Sequence, residues 1–413
     1  MGASAYPPTV YVLGTDRDIG KTVTCIGIIS NLIAADRGYR LGDIGYIKPV
    51  GQETLTVLDD FGEPVKADKD AVLAISLLGV DSPGHQYSSP VVWADGVTAQ
   101  YIDDAAAGDP LDGRQAFLDR IREAYERVAE GKKVVIAEGT GQPGVGSVAG
   151  LSNADVINAL REMGVPLTVL LVTRGGIGST IDQVFPYLVL LDHMGARADG
   201  LLINGVFPSK MDKIQHYIGT YYERVFAALY GERLKVQSAP RIVGYVPSIK
   251  ELRYPTVRLI YEALSKVDAG GVEAVAPVEF GQASLSLVRH VKVISLDTGF
   301  EPFLEPGDAV VVGVNSNDVI RTVLALHARM VAQQGEGLAG LILSCRQVGG
   351  LCEEIEGSLA HGDLPTLMVA LDSASIVQRI EGLKVKIQPY DEGKKALIAA
   401  AFEGLPLLAN LLP

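Results

Sequence analysis

One stretch near the start of the chain, Thr9–Ile26, constrains the fold more than any other, with the sequence TVYVLGTDRDIGKTVTCI. Its first residues are apolar and mostly β-branched or aromatic, and they predict a buried strand that ends at Gly14. A polar loop follows, and the apolar residues after Gly20-Lys21-Thr22 recur with the spacing of a helix. The stretch therefore predicts a strand, a loop and a helix in succession.

This arrangement suits a phosphate ligand. The loop amides and the positive end of the helix would point at one place, and Gly20 lets the backbone come close to a bound group. Lys21 would reach the terminal phosphates, and the Thr22 hydroxyl would contact Mg²⁺. The common pattern is G-x-x-x-x-G-K-[ST], but here the earlier glycine is Gly14, which leaves five residues between it and Gly20 instead of four. The alternative is a chance Gly-Lys-Thr, and the flanking strand and helix favour a phosphate loop.

Composition limits the class of protein. The chain has 413 residues, 48% hydrophobic and 21% charged, which is typical of a globular protein with two domains or one large one. Its net charge of −13 predicts a surface that repels nucleic acid and anionic membranes. Three scattered cysteines do not make a disulfide framework and are typical of a cytoplasmic protein. We expect no signal peptide and no membrane-spanning segment.

Polar side chains follow several predicted strands of the first half. Lys48 follows a short strand that Pro49 terminates, and we expect it to be a second cation for a phosphate or carboxylate. Glu138 follows the apolar strand Lys133–Ala137, where a nucleotide-bound Mg²⁺ would find a carboxylate. Asn204 ends another strand, and its amide would either read an adenine edge or close a turn. Ligands of parallel sheets bind beyond the carboxyl ends of the strands, so these residues belong to one candidate site.

The region between these strands is less regular. Thr56–Pro64 is predicted as a loop insertion, and Lys66–Leu78 as a helix with Asp68 or Asp70 near its start. An acid there either caps the helix or helps to hold Mg²⁺, and spacing alone does not decide between the two roles. Strands alternate with helices through the rest of this half, which predicts a parallel sheet with helices on both faces.

Four stretches and one asparagine resemble the dethiobiotin synthetases. The loop Gly14–Thr22 is similar to that family's G-T-D-x-x-x-G-K-T, including the early glycine, and Lys48-Pro49-Val50 resembles its K-P-V. Asp70-Ala71, Glu138-Gly139-Thr140-Gly141 and Asn204 fall where the family has its D-A, its E-G-A-G and its base-reading Asn. The resemblance covers roughly residues 8–248.

This resemblance implies ATP and Mg²⁺ as ligands, with Lys21 and Lys48 stabilising charge on a transferred phosphoryl group. It implies a metal near Thr22, Asp70 and Glu138. The residues that it places at the nucleotide are Asp16, Asp18, Ile19, Gly20, Lys21, Thr22, Val23 and Asn204. It also implies a homodimer, because these synthetases place their site at a subunit interface.

The chain departs from that family in two respects. After K-P-V the synthetases carry a small hydroxyl residue and a glycine that hold the substrate, whereas this chain has Gly51-Gln52-Glu53. It also continues for about 165 residues, 249–413, beyond the matching region. Both features resemble the N-terminal half of long bacterial phosphate acetyltransferases, where a DRTGG domain follows. The acyltransferase domain of those enzymes has no counterpart in this sequence, so we do not expect a full acetyltransferase.

The second half predicts another, smaller α/β unit. Asp268–Val278 is rich in glycine and alanine and predicts a linker or loop. The order PGDAVVVGVNSNDVI, AGLILSCRQVGG, LPTLMVALDSASIVQRI and KIQPYDEGKK resembles the DRTGG domain. Such domains are regarded as regulatory, and a small effector would bind at the loops Asn315–Asp318 and Arg346–Gly350.

The predicted fold class is therefore α/β, with a P-loop NTPase domain over residues 1–248 and a DRTGG-like domain over residues 249–413. One predicted function is an ATP- and Mg²⁺-binding regulatory protein that acts on a separate acyltransferase. The alternative is an ATP-dependent ligase, of the dethiobiotin synthetase or cobyrinate diamide synthase type, that phosphorylates a carboxylate or carbamate. The sequence leaves open whether ATP is hydrolysed.

Overall fold

A computed structural model describes residues 4–34, 38–59, 62–93, 96–234, 239–266, 273–274 and 282–405. The chain divides into two compact units. The first consists of Met1–Ile249 together with Asp391–Pro413, and the second consists of Lys250–Tyr390. Both units have a sheet of mainly parallel strands between helices, so the predicted α/β fold class is confirmed.

The strands of the first unit are β1 (Thr9–Gly14), β2 (Ile44–Ile47), β3 (Val50–Gly51), β4 (Thr54–Leu58), β5 (Pro64–Asp68), β6 (Val91–Val92), β7 (Val134–Glu138), β8 (Leu167–Arg174), β9 (Gly200–Val206) and β10 (Arg241–Pro247). Its helices up to that point are α1 (Lys21–Ile33), α2 (Lys69–Leu78), α3 (His85–Ser88), α4 (Val97–Ala107), α5 (Pro110–Ala129), α6 (Asn153–Glu162), α7 (Gly178–His193), α8 (Met211–Thr220) and α9 (Phe226–Leu234). The patterns described above do not predict α4, α6, α8 or α9.

The main sheet of the first unit has the order β10-β9-β8-β1-β7-β2, and all its strands are parallel. Strand β1 lies near the middle, between β7 and β8. Tyr11 and Leu13 pack on one face in a core shared with α5, α6 and α7, and Val10 and Val12 are fully buried as well. Strands that are buried on both faces read as continuous apolar runs, which explains why the sequence predicts them well.

The predicted loop insertion Thr56–Pro64 is wrong. Strands β4 and β5 form an antiparallel pair in which Thr54 lies opposite Asp68. The predicted start of the next helix at Lys66 is also wrong, because β5 continues to Asp68 and α2 begins at Lys69.

The second unit contains β11 (Glu273–Ala274), β12 (His290–Val293), β13 (Asp308–Gly313), β14 (Gly340–Ser344) and β15 (Thr366–Met368). Its helices are α10 (Val257–Ser265), α11 (Asn317–Gln334), α12 (Glu353–His361) and α13 (Ser373–Glu381). The sheet order is β11-β15-β14-β13-β12, with β11 antiparallel to β15 and the other pairs parallel. The predicted linker Asp268–Val278 lies outside the described residues except for β11.

Alternate residues of β13 face two separate cores. Val310 and Val312 pack with residues of α11 and α12, whereas Ala309 and Val311 pack with residues of α10 and α13. The second sheet is therefore also buried on both faces.

The helix α14 (Glu392–Phe402) belongs to the first unit. A Cβ atom on Gly27 of α1 would lie 2.4 Å from Cγ of Phe402, so the ring rests directly on the helix backbone. Asn31 Nδ2 donates to the Phe402 carbonyl at 2.8 Å, and Lys395 Nζ donates to the Leu77 carbonyl at 2.9 Å. Our predicted second domain runs to residue 413, but the compact unit ends at Tyr390 because α14 packs against α1 and α2.

No helix within the described ranges is long and apolar enough to cross a membrane.

Candidate functional site

Two glycines determine the path of the loop between β1 and α1. Gly20, at the start of α1, has φ of 98°, and a Cβ atom there would lie 2.1 Å from Nδ2 of Asn204. A Cβ atom on Gly14 would lie 2.5 Å from Cγ2 of Ile19, which is buried against it. The early position of the first glycine thus has a steric reason, since Ile19 folds back over residue 14.

Lys21 is enclosed by this loop. Its Nζ donates to the carbonyls of Asp16 at 3.0 Å and Arg17 at 2.8 Å. Burial lowers the pKa of Lys21, and the negative charge of Glu138 opposes that shift. The Lys21 ammonium is therefore a poorly solvated cation, ready to interact with an anion that enters the loop.

Glu138, at the end of β7, accepts hydrogen bonds from two elements. Thr22 Oγ1 donates to its Oε1 at 2.9 Å, and the Tyr46 hydroxyl donates to its Oε2 at 2.7 Å. Burial raises the pKa of Glu138 and the Asp70 carboxylate raises it further, whereas Lys48 and the Tyr46 hydrogen bond oppose the shift. Glu138 therefore connects α1 with β2 at the sheet edge.

Lys48 lies among three carboxylates directly after β2. Its Nζ is 3.2 Å from Asp68 Oδ1 and 3.7 Å from Glu138 Oε1, and it also contacts Asp70 Oδ2. Burial alone lowers the pKa of Lys48, but Asp70, Glu138 and Asp68 together outweigh it and hold that pKa well above its usual value. Lys48 is therefore charged and strongly paired.

The two acids near the start of α2 have different roles. Asp68 Oδ1 accepts from the Asp70 amide at 2.9 Å and so caps the helix. Its Oδ2 accepts from the amides of Gln52 at 2.9 Å and Glu53 at 3.2 Å. Asp70, with a side chain 21% exposed, directs its carboxylate at Lys48. Of the two candidate roles, capping belongs to Asp68.

The structure thus brings Thr22, Lys48, Asp70 and Glu138 together, with Lys21 close enough to interact electrostatically with Glu138. The other predicted nucleotide contacts line the loop. Asp16 and Asp18 are exposed, Val23 is half-buried in the first turn of α1, and the Asp18 carbonyl accepts from Arg174 at 2.8 Å.

Asn204 holds the loop from the side of β9. Its Nδ2 donates to the Ile19 carbonyl at 2.9 Å, and its Oδ1 accepts from the amide of Gly205. The role of Asn204 in binding adenine stays a prediction.

Sequence reasoning missed Tyr46 and Cys25. Tyr46 stands two residues before Lys48, so the period of an extended chain places both side chains on the same side. Cys25 lies three residues after Thr22 on α1, again on a shared face. Burial raises the pKa of the Cys25 thiol well above its usual value, and the nearby Glu138 raises it further. The periodicity was a sufficient signal in both cases.

The donor atoms fit a hard cation. No group of three or more His, Cys, Asp or Glu side chains is arranged to hold a metal ion in the part of the chain that the structure describes. Thr22, Asp70 and Glu138 nevertheless offer a hydroxyl and two carboxylates, and protein-bound Mg²⁺ commonly uses one or two carboxylates with water and phosphate oxygens.

A parallel sheet whose first strand leads through a glycine-bounded loop into a helix, with Lys and Thr at the helix start, defines a P-loop nucleotide-binding domain. The profile of one family, described as an AAA domain, matches residues 8–256, which is more than half of the sequence. The chain belongs to this AAA-domain family.

Several individual proteins are also similar to this chain. The ATP-dependent dethiobiotin synthetase of Clostridium kluyveri is 25% identical over 198 residues, covering 47% of this chain and 73% of that protein. Cobyric acid synthase of Rhizobium etli is 25% identical over 210 residues, covering 47% of this chain and 40% of that protein. A chain of the MinC:MinD cell division protein complex of Aquifex aeolicus matches with a TM-score of 0.29 and 12% identity, covering 59% of this chain and 83% of that one.

The predicted dethiobiotin-synthetase-like P-loop domain is therefore confirmed. The resemblance of residues 249–413 to DRTGG domains, and of the chain to phosphate acetyltransferases, stays a prediction.

Proposed function

We propose that this protein is an ATP-dependent ligase that uses Mg²⁺ and phosphorylates a carboxylate or carbamate. The observation that carries the proposal is the pair of buried lysines, Lys21 and Lys48, whose charges both act on Glu138 at the edge of the sheet. The names of the relatives, a dethiobiotin synthetase and a cobyric acid synthase, favour this function over a purely regulatory one.

Each residue has a chemical role in this proposal. Lys21 stabilises negative charge on the terminal phosphates, and Lys48 stabilises charge on the transferred phosphoryl group and the attacking oxygen. Thr22, Asp70 and Glu138 would hold Mg²⁺, which neutralises phosphate charge when bound. Because Lys21 and Lys48 are almost completely buried, their attraction to a bound anion is stronger than in water.

The reaction has two steps. An oxygen of the substrate carboxylate or carbamate attacks the γ-phosphorus, a new P–O bond forms, and the bond to the β-phosphate oxygen breaks to release ADP. The amine nitrogen then attacks the acyl carbon of the mixed anhydride, a C–N bond forms, the C–O bond to the phosphoryl group breaks, and inorganic phosphate and a proton are released. The protein's task is to position these groups and stabilise charge.

The substrate differs from that of dethiobiotin synthesis. In place of the hydroxyl residue and glycine of that family, this chain has Gln52, whose Oε1 accepts from Arg17 Nη2 at 3.2 Å. The amides of Gln52 and Glu53 donate to Asp68. The segment is thus tied to the phosphate loop and to the start of α2, which supports a role for it in orienting a different acid.

A second candidate is the ligand-sensing role of the second unit. It is favoured by one observation, the contact between the two loops at the carboxyl ends of β13 and β14, where Asn315 Nδ2 donates to the Val348 carbonyl at 3.4 Å. Parallel sheets bind ligands at this edge. The effector, a separate acyltransferase partner and a homodimer belong to this proposal.

Isothermal titration with ATP and Mg²⁺ tests nucleotide binding, and phosphate release tests catalysis. We expect release to rise with one member of a panel of carboxylic acids, in the presence of ammonia or a simple amine. Lys21→Met is the matched negative control. Phosphate release that no acid stimulates would favour the regulatory candidate, and the absence of ATP binding would contradict both.

A further inference from the structure

The Lys48 ammonium contacts the same carboxylates that would bind a metal ion in the candidate site. Its contacts include Asp70 and Glu138, the two acids that the proposed function assigns to Mg²⁺. Lys48 is 6% exposed and Glu138 is 1% exposed, so water does not take up this charge. The chain thus supplies its own cation to the donors that a metal would need.

Two of these carboxylates also accept hydrogen bonds from uncharged groups. Glu138 has the hydroxyls of Thr22 and Tyr46, and Asp68 has three backbone amides, all of which are uncharged donors. Lys21, the other nearby lysine, donates to two backbone carbonyls of the loop. One ammonium group, that of Lys48, therefore lies within ion-pair distance of three carboxylates.

A divalent ion that arrives alone must compete with this ammonium group. If Lys48 moved away, the buried carboxylates would keep the free-energy cost of desolvation without the attraction of a cation. The ion pair with Lys48 therefore resists disruption. A triphosphate changes the balance, because it offers Lys48 another anionic partner while bringing further oxygen ligands for the metal.

We propose that Lys48 is a resident cation that prevents Thr22, Asp70 and Glu138 from binding a free divalent ion, so that metal is accepted together with phosphate. This inference rests on the proposed function, because it takes the metal-binding role of those three residues from it. Coupling of this kind is reciprocal, so the presence of metal also favours the release of Lys48 towards phosphate. Lys48 thus controls when the metal ion binds, and it contacts phosphate only after the metal and the triphosphate have arrived.

The test measures the binding of Mn²⁺ by electron paramagnetic resonance, in the absence of nucleotide and carboxylic acid. We expect Lys48→Met to bind Mn²⁺ at least tenfold more tightly than the wild type. Lys21→Met is the comparison variant. The Lys21 ammonium donates to two backbone carbonyls and acts on Glu138 only electrostatically, so this variant should gain less Mn²⁺ affinity than Lys48→Met. Adding Glu138→Gln to Lys48→Met should abolish the gain.

Folding is followed in the same samples by circular dichroism. If Lys48→Met is less stable without metal, Mn²⁺ should raise its Tm while leaving the Tm of the wild type unchanged, which is the same result in another form. Lys48→Arg keeps the charge and should bind Mn²⁺ as weakly as the wild type. Equal Mn²⁺ binding by Lys48→Met and the wild type, or a Tm that Mn²⁺ does not raise, would overturn the inference.

The results of this experiment distinguish a failure of the inference from a failure of the proposed function. A gain of Mn²⁺ binding in Lys48→Met supports the inference even where no acid stimulates phosphate release. If carboxylic acids stimulate phosphate release by the wild type but Lys48→Met does not bind Mn²⁺ more tightly, the ligase function is supported and the proposed role of Lys48 as a resident cation is contradicted.

Discussion

The two sheets of this protein share an architecture and differ at their strand ends. Both are parallel over most of their strands and buried on both faces. In the first unit, Lys48 and Glu138 stand at or directly after the carboxyl ends of β2 and β7. In the second unit, the corresponding ends of β13, β14 and β15 are Gly313, Ser344 and Met368. The fold provides the edge, and the residues placed there decide what chemistry it supports.

Buried charge follows the same division. In the second unit the fully buried Asp308 lies at the amino end of β13, where it accepts from the Glu305 amide at 3.0 Å and pairs with His290. That carboxylate fixes a turn at the edge opposite to the ligand-binding edge. In the first unit, Lys48, Asp68 and Glu138 are buried near the carboxyl edge and face one another, an arrangement that favours binding over stability.

The largest expected effect concerns the phosphate loop. Lys21→Met should reduce ATP-dependent phosphate release by roughly 10³-fold, because it removes a buried positive charge from the transferred phosphate. Lys292→Met, on β12 of the second unit, is the control and should change the rate less than twofold. A steady-state rate that is equal in both variants would remove the distinction between the two strand edges.

The next effect concerns the core of the second unit. Leu341, the second residue of β14, is fully buried, so Leu341→Ala should lower the free energy of unfolding of this unit by about 2–5 kcal/mol. Trp93 is the only tryptophan of the sequence and lies in the first unit, so its fluorescence reports that unit. We expect the circular dichroism transition to shift while the Trp93 midpoint in urea stays constant. Equal shifts in both signals would mean that the units unfold together.

A third prediction tests the contact between α1 and α14. Gly27→Ala should destabilise the first unit by about 1–3 kcal/mol, because the new methyl group meets the Phe402 ring. In a Phe402→Ala background the same change should stabilise by up to about 1 kcal/mol, because alanine has the higher helix propensity. The double-mutant cycle is measured from the Trp93 transition. The same sign in both backgrounds would place the ring elsewhere.

The smallest effect is the acid sensitivity of the second unit. Hydrogen bonds from Ser375 at the start of α13 lower the pKa of the Asp372 carboxyl below its ordinary value of 3.8. A lowered folded pKa contributes stability above the unfolded pKa, and this stability is lost as pH falls through the folded pKa. Asp372→Asn keeps a capping side chain and should lose this dependence below pH 3.8. Acid titration by circular dichroism measures it, and unchanged titration would refute it.

The sequence predicted the parts of the fold that carry continuous apolar signals. Strand β1, the loop after it and helix α1 were predicted because buried strands and amphipathic helices have distinct periodicities. Strands β4 and β5 were missed because every residue of the pair except Ala67 and Asp68 is half-buried or exposed, so no apolar run marks them. The packing of helix α14 on α1 depends on contacts between distant parts of the chain, which local pattern does not report.

The candidate site shows the same limit. Lys48 and Glu138 were found because strand ends can be read from sequence. The pairing of Lys48 with Asp68 and Asp70 depends on how the β4–β5 pair leads into α2, which no motif encodes. The motifs therefore predicted which residues belong to the site, and the structure showed which charged side chains form ion pairs.

The return of α14 makes residues 250–390 an insertion between two parts of a single nucleotide-binding body. A fragment that stops at residue 248 would lack Phe402 and would leave the apolar surface around Gly27 open to solvent. To study the first unit alone, residue 249 should therefore be joined to residue 391 through a short linker. A simple truncation would remove α14, which packs on the helix that follows the phosphate loop.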